Sequence, residues 1–334
     1  MPAIITHDFF GQDVYHDLHT TIGETRDEYE AFLLGNQGPD PLFYTVINPR
    51  LHEFNHLGST MHDEKPSELI AAFKQGLSVL SEDEYPVGRA YVLGFLCHYT
   101  LDVTMHPFVF ATQFALSDAG VEGLSRADGH ELHGTIESEF DEMVLFTKSG
   151  KTVASFDPSA EILRASDFAL TTISKLYAYV AMTVYGLFIP ADMFMTAAKS
   201  FRFVQGVFYS PSGAKRAAIG TIEELFRRHS FFQSMSHRPI ELTESQFDNR
   251  EHAEWRDPFT DAVNTESFWD LYTIAQEKAR HNIDMIAAKS FGLDQAQEIT
   301  GELNFSGEPT TAIIFVEDAP EPISTTVLSA EEIG

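Results

Sequence analysis

The sequence predicts an all-α fold, a bundle of many helices followed by a short C-terminal segment that contains some β character. Apolar residues recur at helical spacing from about residue 13 to residue 290, and strand and helix patterns do not alternate. The segment 87–106 is apolar on more than one face, which is typical of a buried central helix. We therefore expect a helical domain at 1–292 and a tail or small strand extension at 293–334.

Residue patterns predict the individual helices and some of their ends. The first helix, 13–35, ends at Gly35, and Pro107 is expected to end the central helix at 87–106. The other predicted helices are 67–80, 129–146, 158–189, 190–209, 212–229 and 265–290. In 293–334, β-branched runs, prolines and acidic residues predict a strand or two, or a peripheral tail.

The chain is strongly acidic, with 22 Lys and Arg against 50 Asp and Glu and a formal net charge of −28. This charge repels polyphosphates and anionic surfaces, so nucleic acid is disfavoured as a partner. The first ten residues, MPAIITHDFF, carry no secretory-signal pattern, and no apolar run is long enough to span a bilayer. Together with the single cysteine, Cys97, these features lead us to expect a cytoplasmic protein with an inert core thiol.

The sharpest motif is the set His98, Asp102 and His106 on the central helix. Positions i, i+4 and i+8 drift by only about 40° per step, so the three side chains project from one face. Zinc binds imidazole nitrogen and carboxylate oxygen, and a carboxylate between two histidines can bridge two ions. The alternative is that these groups satisfy one another in the core. Burying them on so apolar a helix without a cation is costly, which favours a metal site.

A second pair, His133 and Glu137, repeats the i, i+4 spacing on the next predicted helix, with Asp141 one turn further along the same face. Taken alone, such a pair usually lies on the solvent-exposed face of a helix and binds no metal. Beside the first helix, it predicts additional metal ligands.

Three further residues are candidates to complete the coordination shell: Asp40, His62 and His7. Asp40 lies in the turn Gly38-Pro39-Asp40-Pro41, where two prolines restrict the backbone around a carboxylate. For each candidate the alternative is a loop histidine or an aspartate that stabilises a turn. His52 and His56 form another i, i+4 pair and compete with His62 for the same role.

In combination these motifs resemble the zinc-dependent phospholipase C family, a helical fold related to the three-zinc single-strand nucleases. The resemblance covers about residues 1–290. The segments that carry it are His7, Gly38-Pro39-Asp40, Met61-His62, Gly94 to Asp102, His106-Pro107, His133 to Glu137 with Asp141, and Asn249 to Pro258 with its Trp255.

The resemblance implies zinc-dependent hydrolysis of a phosphodiester by an activated water. It implies that one zinc is held by Asp40, His62, His98 and Asp102. Asp102 would bridge to a second zinc held also by His7, and a third would be held by His106, His133 and Glu137. Secreted members begin at a tryptophan that itself binds metal, whereas six residues precede His7 here, and the spacing from Asp102 to His106 is shorter. Either two or three zinc ions are therefore expected.

The expected catalytic residues are Asp40, which would orient or deprotonate the attacking water, and Asp102, which would bridge two ions. The expected substrate is a phospholipid or other phosphodiester with a cationic or neutral head group, and a lipid substrate implies peripheral contact with a membrane. One alternative is a nuclease or small-molecule phosphoesterase with the same zinc cluster. Another is a non-catalytic helical protein with structural zinc.

Overall fold

The computed structural model describes residues 3–119, 126, 129–223 and 230–310. Residues 224–229 of the predicted helix 212–229, and residues 311–334 of the predicted tail, lie outside the described part.

The predicted all-α class is confirmed, because helices dominate the described residues. They are α1 (Ile4–Ile22), α2 (Arg26–Gly35), α3 (Leu57–Asp63), α4 (Pro66–Gly76), α5 (Tyr85–Asp118), α6 (Gly129–Ser149), α7 (Pro158–Glu161), α8 (Asp167–Tyr185), α9 (Met193–Phe208), α10 (Ala214–Glu223), α11 (Phe231–Met235), α12 (Phe268–Ala287) and α13 (Leu293–Thr300). Three 3-10 segments, Asp40–Ile47, His52–Phe54 and Leu77–Val79, connect some of them. The strands in the described part are β1 (Trp255–Arg256) and β2 (Val263–Asn264), which pair antiparallel.

The predicted helix 13–35 is two helices in the structure. Gly23 has a φ of +144°, which is not helical, so it separates α1 from α2. Thr25 then starts α2 with a capping box, in which its hydroxyl accepts from the backbone N–H of Glu28 and the Glu28 carboxylate accepts from Thr25. The end at Gly35 is as predicted. The capping residues were present in the sequence, but the apolar periodicity runs across them.

The prediction that Pro107 ends the central helix is wrong, because α5 continues through it. Proline has no N–H, so the carbonyl of Val103 loses its helical donor there. The following turn is nevertheless held by packing. Phe108 is buried, and its ring lies 5.3 Å from the ring of Trp255. Burial of this aromatic side chain outweighs one missing backbone hydrogen bond.

The segment after Gly292 also differs from the prediction, because it begins with a helix, α13, rather than a strand. Ala296 and Thr300 are buried at helical spacing on one face of it. Residues 301–310 then fold back along α5, and one isolated antiparallel bridge joins Leu303 to Pro309. The described part of this segment is therefore packed against the domain. Every helix in the described ranges is too short or too polar to cross a bilayer.

The central helix α5 crosses α2 at very short range, and glycines make this crossing feasible. A Cβ atom on Gly94 would lie 2.0 Å from the carbonyl oxygen of Phe32, and one on Gly35 would lie 2.3 Å from the carbonyl oxygen of Tyr91. This close approach brings the loop that follows Gly35 to the face of α5 that carries His98.

We expect Gly94→Ala to destabilise the protein by about 1–3 kcal/mol, because the added methyl group meets backbone that cannot move aside. The measurement is the free energy of unfolding in urea. Gly206→Ala is the matched control, since a Cβ in that helix, α9, finds only ordinary contact with Ser159 at 3.5 Å. It is expected to stabilise by about 0.5–1 kcal/mol through the helix propensity of alanine. Equal effects of the two substitutions would contradict the tight crossing.

Candidate metal centre

The three residues of the central motif lie on one face of α5, as their spacing predicts. His98, Asp102 and His106 are all buried, with relative exposures of 0%, 3% and 6%. The two oxygens of Asp102 face different imidazoles: Oδ2 lies 3.2 Å from Nε2 of His98, and Oδ1 lies 3.0 Å from Nε2 of His7. Asp102 therefore stands between two clusters of donors.

The first cluster joins Asp40, His62 and His98. Asp40 is the first residue of the 3-10 segment that follows Pro39, and its Oδ1 lies 3.0 Å from Nε2 of His62 on α3. The same oxygen lies 3.9 Å from Nε2 of His98. Gly38 is required here, because its φ is +49° and a Cβ would lie 2.1 Å from the His98 ring.

The second cluster joins His7, His98 and Asp102. His7 lies in the first turn of α1, and its ring centroid is 4.4 Å from that of His98. His98 thus belongs to both the first and the second cluster, so the two are contiguous.

The third cluster joins His106 of α5 with His133 and Glu137 of α6. Glu137 Oε1 lies 3.3 Å from Nε2 of His133 and 3.5 Å from Nε2 of His106. His133 is the most exposed side chain of the three clusters, at 15%. A separation of 4.0 Å between Nδ1 of His106 and Oδ1 of Asp102 links this cluster to the second.

Four of the histidines present Nε2 to the clusters while an oxygen acceptor holds Nδ1. The acceptors are the carbonyl of Gly58 for His62 at 2.8 Å, of Asn36 for His98 at 3.0 Å and of Phe305 for His106 at 2.7 Å, and the side-chain oxygen of Gln113 for His133 at 3.0 Å. A carbonyl oxygen only accepts, so Nδ1 carries the proton in each of these contacts. A neutral ring in this tautomer leaves its Nε2 lone pair free, which is how histidine binds a metal.

The donor set fits a cation. Two buried atoms at the centre, Nε2 of His98 and Oδ2 of Asp102, have no hydrogen-bond partner among the described residues, and the same holds for Oε2 of Glu137. Buried polar atoms of this kind are rare in folded proteins. Tetrahedral ligands at zinc distances would stand about 3.3 Å apart, close to the 3.0–3.9 Å between imidazole nitrogen and carboxylate oxygen in the first two clusters. These buried groups can hold metal ions.

The electrostatics of the centre also favour a cation. Burial alone would raise the pKa of Asp102 and Glu137, but the neighbouring imidazoles hold both pKa values well below the ordinary range. Burial lowers the pKa of His98 to about 4 despite the attraction of Asp102. At neutral pH the carboxylates are thus ionised and His98 is neutral. For His106, the charges of Asp102 and Glu137 outweigh burial and raise the pKa to about 9, so a cation competes there with a proton.

Asp141 does not join the clusters, although it follows Glu137 on the same helix. Its carboxylate accepts from the backbone N–H groups of Ile5 and Thr6, at 3.2 and 2.7 Å, and from Nε2 of His237 at 2.9 Å. The N–H groups of Ile5 and Thr6 belong to the first turn of α1 and have no partner within the helix, and an acidic side chain from α6 satisfies them. Asp141 therefore fixes the end of α1 that carries His7.

His62, rather than His52 or His56, faces the clusters. Both competing histidines are exposed and lie outside the three groups. The sequence left this choice open because an i, i+4 pair of histidines is equally compatible with a solvated turn. All the other ligands that were predicted from the sequence lie in one of the three clusters, although their binding of metal stays a prediction.

The segment Asn249 to Pro258 lies outside the clusters and has a structural role. The side-chain amide of Asn249 donates to the carbonyls of Ala253, Thr265 and Glu266, and the indole of Trp255 donates to the carbonyl of Glu266. These bonds join the loop around β1 to the residues that precede α12.

No protein-family model matches the chain, and no similar protein was found among curated proteins or solved structures.

Proposed function

We propose that the protein is a metal-dependent phosphodiester hydrolase, most like a phospholipase C, that works with two or three zinc ions. The observation that carries the proposal is the convergence of His7, Asp40, His62, His98, Asp102, His106, His133 and Glu137 into three contiguous clusters. They come from the separate elements α1, α3, α5, α6 and a 3-10 segment. The motif resemblance rests largely on the same residues and favours the same chemistry.

The first cluster has more potential metal-ligating atoms than the second and third clusters, and this difference suits catalysis. The first cluster, with Oδ2 of Asp102 added, offers four donors, enough to close a tetrahedral zinc site. The second cluster shares His98 with the first and adds two donors of its own, His7 and Oδ1 of Asp102. The third cluster has three donors. Catalytic zinc sites keep a coordination position free for water or substrate. The second and third clusters meet that condition.

Bound zinc ions would supply Lewis acidity, which lowers the pKa of a water and offsets charge on phosphoryl oxygens. Asp102 holds two neighbouring sites at a fixed separation, because each of its oxygens faces a different imidazole. Burial would raise the pKa of Asp40, but the contact with Nε2 of His62 and the nearby imidazoles lower it below its ordinary value. Asp40 is thus ionised at neutral pH, and its role is to orient the attacking water more than to store its proton.

The charge of the chain supports a substrate with a neutral or cationic head group. A net charge of −28 opposes the approach of polyanions such as DNA. A phosphodiester that carries a balancing positive charge, as in a zwitterionic phospholipid, meets a smaller barrier. This argument favours phospholipid over nucleic acid within the same chemistry.

The burial of the predicted ligands supports a second candidate function, that of a non-catalytic helical protein with structural zinc. All the predicted ligands except His133 are buried below 9% relative exposure. Structural zinc sites are closed and need no access for substrate. Measurement of turnover distinguishes the two.

The decisive experiment combines metal analysis with turnover. Protein purified without chelators is analysed by elemental mass spectrometry, and hydrolysis of phosphatidylcholine micelles, a chromogenic phosphodiester and single-stranded DNA is measured before and after metal removal. We expect two or three zinc ions per chain and diester hydrolysis that is lost with the metal and restored with zinc. Zinc without turnover would favour the structural role, and cleavage of DNA but not lipid would favour a nuclease.

A further inference from the structure

Residues 301–307, here called the C-terminal strap, lie directly against the candidate metal centre. The hydroxyl of Tyr99 donates to the carbonyls of Thr300 and Leu303, at 3.2 and 2.8 Å, which ties the strap to α5. The backbone N–H of Phe305 donates to the carbonyl of His62 at 3.1 Å. The carbonyl of Phe305 accepts from Nδ1 of His106 at 2.7 Å. The strap therefore contacts two of the predicted ligands through its backbone.

The side chain of Phe305 packs against His62 and His98, two predicted ligands of the first cluster, and against Tyr99. It is 1% exposed, and its ring centroid lies 4.8 Å from that of His62, 5.7 Å from that of His98 and 5.0 Å from that of Tyr99. A ring packed on three sides holds the carbonyl of the same residue in a fixed position.

Hydrogen bonds within the C-terminal strap and a close contact at Gly307 restrict its backbone. Oδ1 of Asn304 accepts from the backbone N–H groups of Ser306 and Glu308, at 2.9 and 3.0 Å. Gly307 has a φ of +82°, and a Cβ there would lie 2.7 Å from Cγ of Pro107. The turn thus rests on the proline that α5 carries immediately after His106.

We infer that the C-terminal strap is a positioning element for His106, which fixes its proton on Nδ1 and aims Nε2 at Glu137 and His133. The inference rests on the proposed metal-dependent function. The hydrogen bond from a ligand ring to the strap is limited to the third cluster, because the Nδ1 atoms of His62, His98 and His133 are held by Gly58, Asn36 and Gln113. Partners of this kind orient a ligating histidine and raise its basicity.

The test compares Gly307→Ala with Gly186→Ala. Both glycines have positive φ, +82° and +67°, but a Cβ on Gly186 meets nothing within 4 Å. We expect Gly307→Ala to weaken zinc binding at the third cluster by about 10 to 100-fold, the usual effect of losing such a partner, with a much smaller effect on the first two clusters. Chelator competition gives the affinities, and the ¹⁵N shifts of His106 in zinc-loaded protein report which ring nitrogen carries its proton. Gly186→Ala should bind zinc as the wild type does.

Asn304→Ala is the second variant, since it loosens the turn without adding volume, and it carries the test if Gly307→Ala does not fold. Unchanged affinity and an unchanged His106 tautomer in a folded strap variant would overturn the inference. Equal weakening at all three clusters would also overturn it, because the strap would then act on the fold in general. Wild-type protein that takes up no metal would instead overturn the proposed function, and with it the role of the strap towards the ion.

Discussion

Asp102→Asn is expected to release metal from the first two clusters and to reduce phosphodiester turnover by about 10³-fold or more. The substitution keeps the shape of the side chain but removes the charge that both clusters share. In the wild-type protein one oxygen of Asp102 lies 3.2 Å from His98 and the other lies 3.0 Å from His7. The amide of asparagine has only one oxygen, so it cannot serve both clusters. A neutral amide also binds divalent ions poorly and cannot bridge two of them. Metal content by elemental mass spectrometry and turnover of a chromogenic diester are the measurements.

Asp248→Asn is the matched control. Asp248 is buried like Asp102, at 3% relative exposure, and accepts from the backbone N–H of Ser245 and from Arg250. It lies in none of the three clusters, so its loss should leave metal content and turnover unchanged. Circular dichroism establishes that both variants are folded. If folded Asp102→Asn protein retains full metal content and activity, Asp102 is not a shared ligand.

The fold class and the face of α5 could be predicted because both depend on local periodicity. An all-helical pattern and the spacing of His98, Asp102 and His106 need no knowledge of distant residues. The end of α2 at Gly35 was predictable for the same reason. The division of 13–35 at Gly23 was available from Thr25 and Glu28, whose capping box is a local signal.

The remaining features depend on contacts between distant parts of the chain. Pro107 is tolerated within α5 because Phe108 packs on Trp255, and no local rule anticipates that contact. The contact between Phe305 and His106 spans 199 residues. The composition of the last segment instead predicted strands or a tail. Asp141 was expected on the ligand face, but its capping of α1 appears only when α1 and α6 are packed together.

The same long-range packing is expected to make the folded state depend on bound cations. The centre buries the three groups of the first cluster and the neighbouring Asp102 against one another, together with His7, His106 and Glu137. Without a cation, several of their polar atoms have no hydrogen-bond partner in the described residues. Such atoms cost free energy in the folded state that they do not cost in the unfolded state, where water satisfies them.

Removal of metal by a chelator is therefore expected to lower the melting temperature by about 10 °C or more. A ligand present at 1,000 times its dissociation constant stabilises the folded state by about 4 kcal/mol, and each kcal/mol corresponds to about 1.5 °C in a chain of 334 residues. The loss of two or three such ions therefore gives a shift of about 10 °C or more. The measurement is differential scanning calorimetry with and without chelator, followed by addition of zinc to restore the original value. Asp102→Asn protein should already melt at the lower temperature and respond much less to chelator, since its first two clusters bind metal poorly. A wild-type melting temperature that does not change when bound zinc is removed would contradict the expectation that cations stabilise these buried groups.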